Sequence, residues 1–355
     1  GFRQADFDES QYARLVAQKF ATEHHELILE PDVVASLEKL TSSMEEPFSD
    51  PSILPTYFVS CLARQHVTVA LSGDGGDELF AGYTRYGIQQ RRQVAALIPK
   101  GAWRFYRERL FPLLPKAMRG RQFSYNLSLP WQERYADEVC LIPAFERDMP
   151  LLSPEFRATI AESGDPQDIL LQLFANAPAS DPISKMLYVD TKTYLVEDIL
   201  TKVDRMSMLT SLEVRVPILD HTFVEWVTSL GPEWKMRDGK QKYIFRKLAE
   251  RVGVPREVLY RPKRGFALPL VHWTRNEMKD LILGVLLDPC TLQRGYLDPK
   301  GVRHLLDEHM SGKRNHSGRV WRLLLFELWH RNFLGKFAGT ASSQPLEVTT
   351  SGVGE

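Results

Sequence analysis

Cysteine is scarce in this sequence and forms no pattern. Cys61, Cys140 and Cys290 lie far apart, are odd in number and show no C-x-x-C spacing. That argues against a disulfide framework and against a cysteine-built zinc site, and it makes reduced thiols of a cytoplasmic protein the expectation. The nine histidines add no metal signature. His304 and His309 are five residues apart and do not share one face of a helix. An excess of either charge is also missing. Lysine plus arginine equals aspartate plus glutamate, at 45 each, so nothing draws the chain as a whole to nucleic acid or an acidic membrane. Long apolar runs are absent too. The strongest, Val320 to Trp329, is interrupted by Arg322 and Glu327, is too short to span a bilayer, and reads as a core helix. Arg3, Asp6, Asp8 and Glu9 break any signal-peptide core near Gly1.

What remains describes a globular chain. Its 355 residues leave room for about two domains, with 43% hydrophobic and 25% charged residues. The first part alternates between helix and strand patterns. Asp8–Phe20 has helical spacing, Glu26–Leu29 reads as a strand, and Val33–Met44 as a helix. A loop through Pro47, Asp50 and Pro51 leads to a helix over Pro55–Gln65 and a strand over Val67–Leu71. Such alternation predicts a parallel sheet covered on both faces. Beyond about residue 88 the pattern turns helical and is punctuated by proline. Arg85–Arg121 is basic and carries Trp103, Phe105, Tyr106 and Phe111. Its spacing fits a helical bundle with arginines facing outward better than a nucleic-acid surface. Ile183–Val189 leads into a long helix. Residues 338–355, rich in Ser, Thr and Gly, read as a disordered tail.

The most informative stretch is Leu71-Ser72-Gly73-Asp74-Gly75-Gly76-Asp77-Glu78-Leu79-Phe80, continuing through Ala81 and Gly82 to Tyr83. It follows the Val67–Leu71 strand and runs into helix-forming residues, the junction at which open α/β sheets bind ligands. Three glycines and a serine expose backbone N–H groups suited to an anion such as phosphate. The carboxylates of Asp74, Asp77 and Glu78 would repel a bare phosphate. They make sense with Mg²⁺ between, because that ion takes hard oxygen ligands and travels with nucleotide phosphates. A glycine-rich turn whose acids cap a helix is the plainer alternative.

This string resembles the second nucleotide-loop motif of the asparagine synthetase family, whose synthetase domain is of the PP-loop ATP pyrophosphatase type. Two further stretches are similar to that family. One is Asp198–Met208, with Lys202, Asp204, Arg205 and Ser207, continuing through Glu213, Arg215, Pro217, Asp220 and His221. The other is Arg261-Pro262-Lys263-Arg264-Gly265-Phe266, followed by Leu268-Pro269. The three occur in the family's order, and the resemblance runs from Gly1 to about Ala338. The family's opening Ser-Gly-Gly-x-Asp-Ser loop and its glutaminase domain do not occur in this sequence. The expectation is therefore the C-terminal part of a longer polypeptide, or else a short protein unable to perform the whole reaction.

The resemblance implies an α/β fold: a parallel-sheet PP-loop (adenine nucleotide alpha-hydrolase-like) region over 1–88, incomplete at its N-terminus, followed by a mainly helical region over 89–337. It implies ATP-dependent conversion of aspartate and ammonia to asparagine, with AMP and pyrophosphate released through a β-aspartyl-AMP intermediate. A related amidotransferase or β-lactam-type synthetase acting on another carboxylate is an alternative, as is an inactive nucleotide-binding module. Matched residue by residue, Lys263 is the catalytic lysine, Asp74 the acid tied to adenylate formation, and Asp198 a second catalytic acid. Ser72, Gly73 and Asp74 contact ATP, and Asp77 holds Mg²⁺. Glu197, Lys202 and Arg264 support the site. Glu78 reads equally as such a supporting side chain or as the helix's first-turn acid. Internal ion pairs are the plainer reading of Asp204 with Arg205 and of Glu213 with Arg215. The expected partners are aspartate, ATP, ammonia and an upstream glutaminase domain, without nucleic acid or membrane, and a homodimer is compatible with this reading.

Overall fold

The computed structural model describes residues 8–28, 33–115, 118–140, 151–261 and 268–335. Helices Ser10–Phe20, Val33–Ser42 and Ile53–Arg64 lie close to their expected spans. The strand expected at Glu26–Leu29 does not form in its described part. Glu26 is held instead by Arg14, whose Nε and Nη2 donate at 2.8 and 2.6 Å, and the backbone from Glu26 to Ile28 is irregular. Leu29, the basic motif at Lys263 and Arg264, and the tail over 338–355 lie outside the described residues.

Among the described residues the sheet content is small. Strand β1 (Val69–Leu71) pairs in parallel with β2 (Glu213–Arg215), Val69 opposite Glu213 and Leu71 opposite Arg215. Ser72 N–H extends the ladder by donating to Arg215 O at 2.8 Å. A mainly helical excursion separates the two strands, so the glycine loop and the end of β2 meet at one edge, the carboxyl end of both strands. The expectation of a sheet covered on both faces is not met: Val69 is 41% and Leu71 73% exposed. The helices pack on one another instead of over β1. A second pair, β3 (Met236–Arg237) and β4 (Lys240–Gln241), forms an antiparallel hairpin. Its turn, Asp238-Gly239, has φ of 50° and 72°, the left-handed pair that a tight hairpin needs.

The long helix expected around the second motif is broken. It begins as Pro182–Lys192, capped by the Asp181 carboxylate, which accepts from Ser184 N–H at 2.8 Å. Thr193 then leaves helical geometry, with φ −125° and ψ −81°. Its hydroxyl donates back to Val189 O at 2.8 Å, the kind of local bond that competes with the helical ladder. The next turns, Tyr194–Leu200, are π-helical before α geometry resumes over Thr201–Met208. A π segment shifts which side chains face inward. In the basic stretch the expectation of outward arginines is only partly met. Arg107 donates to Ser128 O, Arg92 to Asn126 Oδ1 at 2.7 Å, and Arg121 lies over the Phe111 ring at 4.3 Å. Phe105, Leu97 and Leu113 are left exposed.

The main core joins the two ends of the chain. Leu37 and Leu40 from Val33–Ser42, Ile53 and Leu54 from Ile53–Arg64, and Met206 pack with Ile282, Leu286, Leu305, Trp321 and Leu324. The Ser317–Trp329 helix does the joining. Its Trp321 Nε1–H donates to Ser49 O and its Trp329 Nε1–H to Met44 O, each at 2.9 Å. Two indoles thus fix both sides of the Met44–Ser52 loop, and burying a large ring with its N–H satisfied makes each a strong anchor. Between these two tryptophans on the same helix the buried Glu327 receives Arg294 Nη2 at 2.9 Å and Arg331 Nε at 2.7 Å.

Trp321→Ala removes a fully buried ring and an anchor, so it is expected to lower unfolding stability by about 3–5 kcal/mol in equilibrium urea denaturation. A loss below about 1 kcal/mol would show that the core does not depend on it. Gly75 has φ +83°, and a methyl there would overlap Leu219 Cδ2. Gly75→Ala should therefore cost about 1–3 kcal/mol in the same assay, while Gly73→Ala, which meets open space, should be milder.

Candidate functional site

The glycine loop turns sharply at Gly75, and the following helix is a single turn, Gly76–Leu79. One turn carries little macrodipole. The loop is shaped instead by side chains. Ser72 Oγ–H donates to Asp74 Oδ2, which draws the two residues at the loop's start together, and both are partly exposed. Gly73 is exposed and has no neighbour within 4 Å of the position a Cβ would take, so its backbone is open to an approaching ligand.

Asp77 faces a residue that sequence reasoning did not single out. Lys242 Nζ lies 3.1 Å from Asp77 Oδ1, and Lys242 N–H donates to Phe80 O at 3.0 Å. Lys242 follows the β3–β4 hairpin, in a left-handed conformation at φ 54°. The hairpin is further tied to the motif by Gln241 Nε2–H donating to Tyr83 O at 3.1 Å. Gly82 makes this approach feasible, because a methyl there would overlap Asp77 Oδ1 and Lys242 Cε. The signal that could have found the hairpin is Asp238-Gly239 between alternating residues. Nothing local marks Lys242 as its cargo.

Glu78 is buried, at 1% exposure. Its Oε1 accepts the Tyr83 hydroxyl at 2.6 Å. Burial, with Asp77 and Asp190 nearby, pushes its carboxyl above the ordinary range against the pull of Tyr83. Burial and the Glu78 charge in turn push the Tyr83 phenol well up. Behind Tyr83 lies Arg85, whose guanidinium sits 4.0 Å from the Tyr83 ring centre and 4.9 Å from that of Tyr194. Arg85 Nη2 donates at 2.7 Å to Asp190, a buried carboxylate that also accepts the hydroxyls of Tyr86 and of Tyr135, the latter at 2.6 Å. All three donors converge on Asp190 Oδ2, and the carboxylate so fixes the aromatic wall behind the site.

Asp198 lies in the π-helical stretch four residues after Tyr194, and its charge adds to the burial that pushes the Tyr194 phenol up. Burial and the facing Asp50 push its carboxyl up to about 7, while Lys202 pulls the other way. Lys202 is buried and donates Nζ–H to Asp50 Oδ2. Burial alone would raise the Asp50 carboxyl, but Lys202 and the Ser52 hydroxyl and N–H hold it below its ordinary value. Ser52 N–H and Oγ–H reach Asp50 at 2.9 and 2.6 Å.

Of the residues singled out from sequence, Ser72, Asp74, Asp77, Glu78, Asp198 and Lys202 fall along this edge. Glu197, expected to support the site, has its side chain exposed to solvent. Lys263 and Arg264 lie outside the described residues. Arg205 pairs with Glu45 at 2.7 Å rather than with Asp204, because the two neighbours on a helix point apart. Arg215 does pair with Glu213, at 2.8 Å. Among the described residues no three His, Cys, Asp or Glu side chains gather to hold a metal.

The asparagine synthase family profile matches residues 1–331. A Bacillus subtilis protein, asparagine synthetase [glutamine-hydrolyzing] 1, is 33% identical over 351 residues, covering 98% of this chain and 54% of the relative. A putative asparagine synthetase [glutamine-hydrolyzing] of Mycobacterium tuberculosis is 33% identical over 349 residues, covering 97% of this chain and 52% of the relative. A Rattus norvegicus asparagine synthetase [glutamine-hydrolyzing] is 34% identical over 110 residues, covering 30% of this chain and 19% of the relative. The chain spans about half the length of the first two relatives. With the profile matching nearly its whole length, the chain belongs to the asparagine synthase family.

Proposed function

We propose that this chain is the amide-forming part of a glutamine-hydrolysing asparagine synthetase of the PP-loop type, working in the cytoplasm. The observation that carries this reading is the open glycine loop at the carboxyl end of β1, facing a wall of partly buried carboxyl and phenol groups, in a chain of this family. The aspartate side-chain carboxylate attacks the α-phosphorus of ATP, the bond to pyrophosphate breaks, and β-aspartyl-AMP forms. Ammonia then adds to the acyl carbon, AMP leaves, and the nitrogen gives up a proton to yield asparagine. An upstream glutaminase domain would supply the ammonia.

Within this reading, the exposed Ser72–Gly73 backbone binds phosphate and Asp74 orients the adenylate. Mg²⁺, which spreads the charge of the phosphates when bound, would be held by Asp77. A single carboxylate suits it, because that ion keeps substrate phosphates and waters as its other ligands. Lys242 Nζ already lies 3.1 Å from Asp77 Oδ1, so Mg²⁺ would have to share or displace that ion pair to use this carboxylate. Asp198, near neutrality, can accept the proton lost by the nucleophile. Lys263, with Arg264 beside it, would stabilise the charge building on phosphorus.

The test uses the full natural polypeptide with ATP, Mg²⁺ and ammonium. Release of AMP and pyrophosphate should depend on aspartate, and Lys263→Ala should lower turnover by about 10²- to 10³-fold. ADP in place of AMP would overturn the reading, as would turnover that ignores aspartate but accepts another carboxylate.

A further inference from the structure

The loop that the two tryptophans anchor carries a residue that no motif singles out. We infer that Asp50 is a positioning residue for Asp198: together with Lys202 it forms a fixed charge pair against the Asp198 carboxyl and sets the form in which that carboxyl meets the nitrogen nucleophile. This rests on the proposed amide-forming reaction.

The geometry is specific. Asp50 sits in the turn before the Ile53–Arg64 helix, and Lys202 lies in the Thr201–Met208 helix. Lys202 is only 7% exposed and donates to Asp50 Oδ2. Asp50 is held from its own side by Ser52 N–H and Oγ–H and, through the loop, by Trp321 on Ser49 O. Asp198 stands four residues before Lys202, and its carboxyl faces the Asp50–Lys202 pair, with Asp50 pushing its proton affinity up and Lys202 pulling it down. Its Oδ1 is shut off from solvent with no hydrogen-bond partner among the described residues. The groups facing Asp198 are Asp50 from the loop, Lys202 and Tyr194 from its own strand of helix, and Glu78 from the glycine-loop turn.

The signs follow from these positions. Two carboxyls facing each other cannot both be charged cheaply, so one proton is favoured between them. Asp50 keeps the negative charge because Lys202 and Ser52 are committed to it. Asp198 is therefore the carboxyl whose proton affinity is lifted, to a range near neutrality where it can both take up and give up a proton. Without Asp50, Lys202 would turn its charge on Asp198 and hold it ionised. Without Lys202, the two acids would repel and raise it further. An acceptor works best when its own proton affinity lies near the working pH. By holding Lys202 to itself, Asp50 keeps Asp198 in that range.

The experiment compares Asp50→Asn and Lys202→Met with the wild-type full-length polypeptide. The first readout is the pH profile of kcat/KM for aspartate with ammonium. The second, independent of turnover, is the infrared titration of the protonated carboxyl band that disappears in Asp198→Asn. Asp50→Asn should move both toward lower pH by about one unit or more, and Lys202→Met toward higher pH by about one unit. Asp50→Glu should restore much of the wild-type position. A merely structural role would lower stability without moving the two profiles in opposite directions. No shift, or shifts of one sign, would overturn the inference. If the variants fail to fold, the wild-type band decides: titration near pH 7 supports the arrangement, and its absence near neutrality overturns it. A band that behaves as expected in a protein without aspartate-dependent turnover would uphold the charge pair and reject the proposed reaction.

Discussion

A lysine taken out of water stays charged at tolerable cost only beside a fixed anion, and much of this structure serves one such pair. Lys202 is buried against Asp50 across a separation of 152 residues in sequence. Breaking a buried pair by removing one partner typically costs about 3–5 kcal/mol, so the loop bearing Asp50 must be held as firmly as the helix bearing Lys202. The C-terminal helix supplies that firmness through Trp321 and Trp329, which bond Ser49 O and Met44 O. Arg205, one turn beyond Lys202, takes Glu45 in the same loop. The core and the acid cluster are thus one mechanical unit.

A second constraint acts on the glycine loop. Asp77 and Lys242 come together only because Gly82 lacks a side chain and because the β3–β4 hairpin turns tightly enough to deliver Lys242. The backbone is locked at the same place by Lys242 N–H on Phe80 O and by Gly82 N–H on Asp77 O at 2.8 Å. On the far side Asp190 gathers Arg85, Tyr86 and Tyr135, and the Arg85 guanidinium lies against both Tyr83 and Tyr194, whose rings meet edge to face at 5.6 Å. The Tyr83 ring is thus held by both the guanidinium and the neighbouring core, and its hydroxyl is kept toward Glu78.

Helix positions were legible because capping and periodicity are local. Asp181-Pro182 and Asp298-Pro299 each place a carboxylate before a proline-led helix, and each caps it. The covered parallel sheet was not borne out, since alternation of strand and helix says nothing about where helices pack once they form. The π-helical turns after Thr193 were equally invisible, because Thr193 acts through a bond to Val189 that competes with an otherwise regular helix pattern.

Residue type and spacing along the chain were enough to point to the family, through three motifs in order, the glycine loop with its acids and the Asp198–Lys202 stretch among them. Those are properties of residues near one another in the chain, where spacing and residue type are enough. What surrounds them came from the fold: Asp50 against Lys202, Lys242 against Asp77, Arg205 with Glu45 instead of Asp204. The physical reason is range. A charge buried at a contact between distant segments is paired with whatever the fold brings there, and the cost of leaving it unpaired, rather than any local pattern, selects its partner.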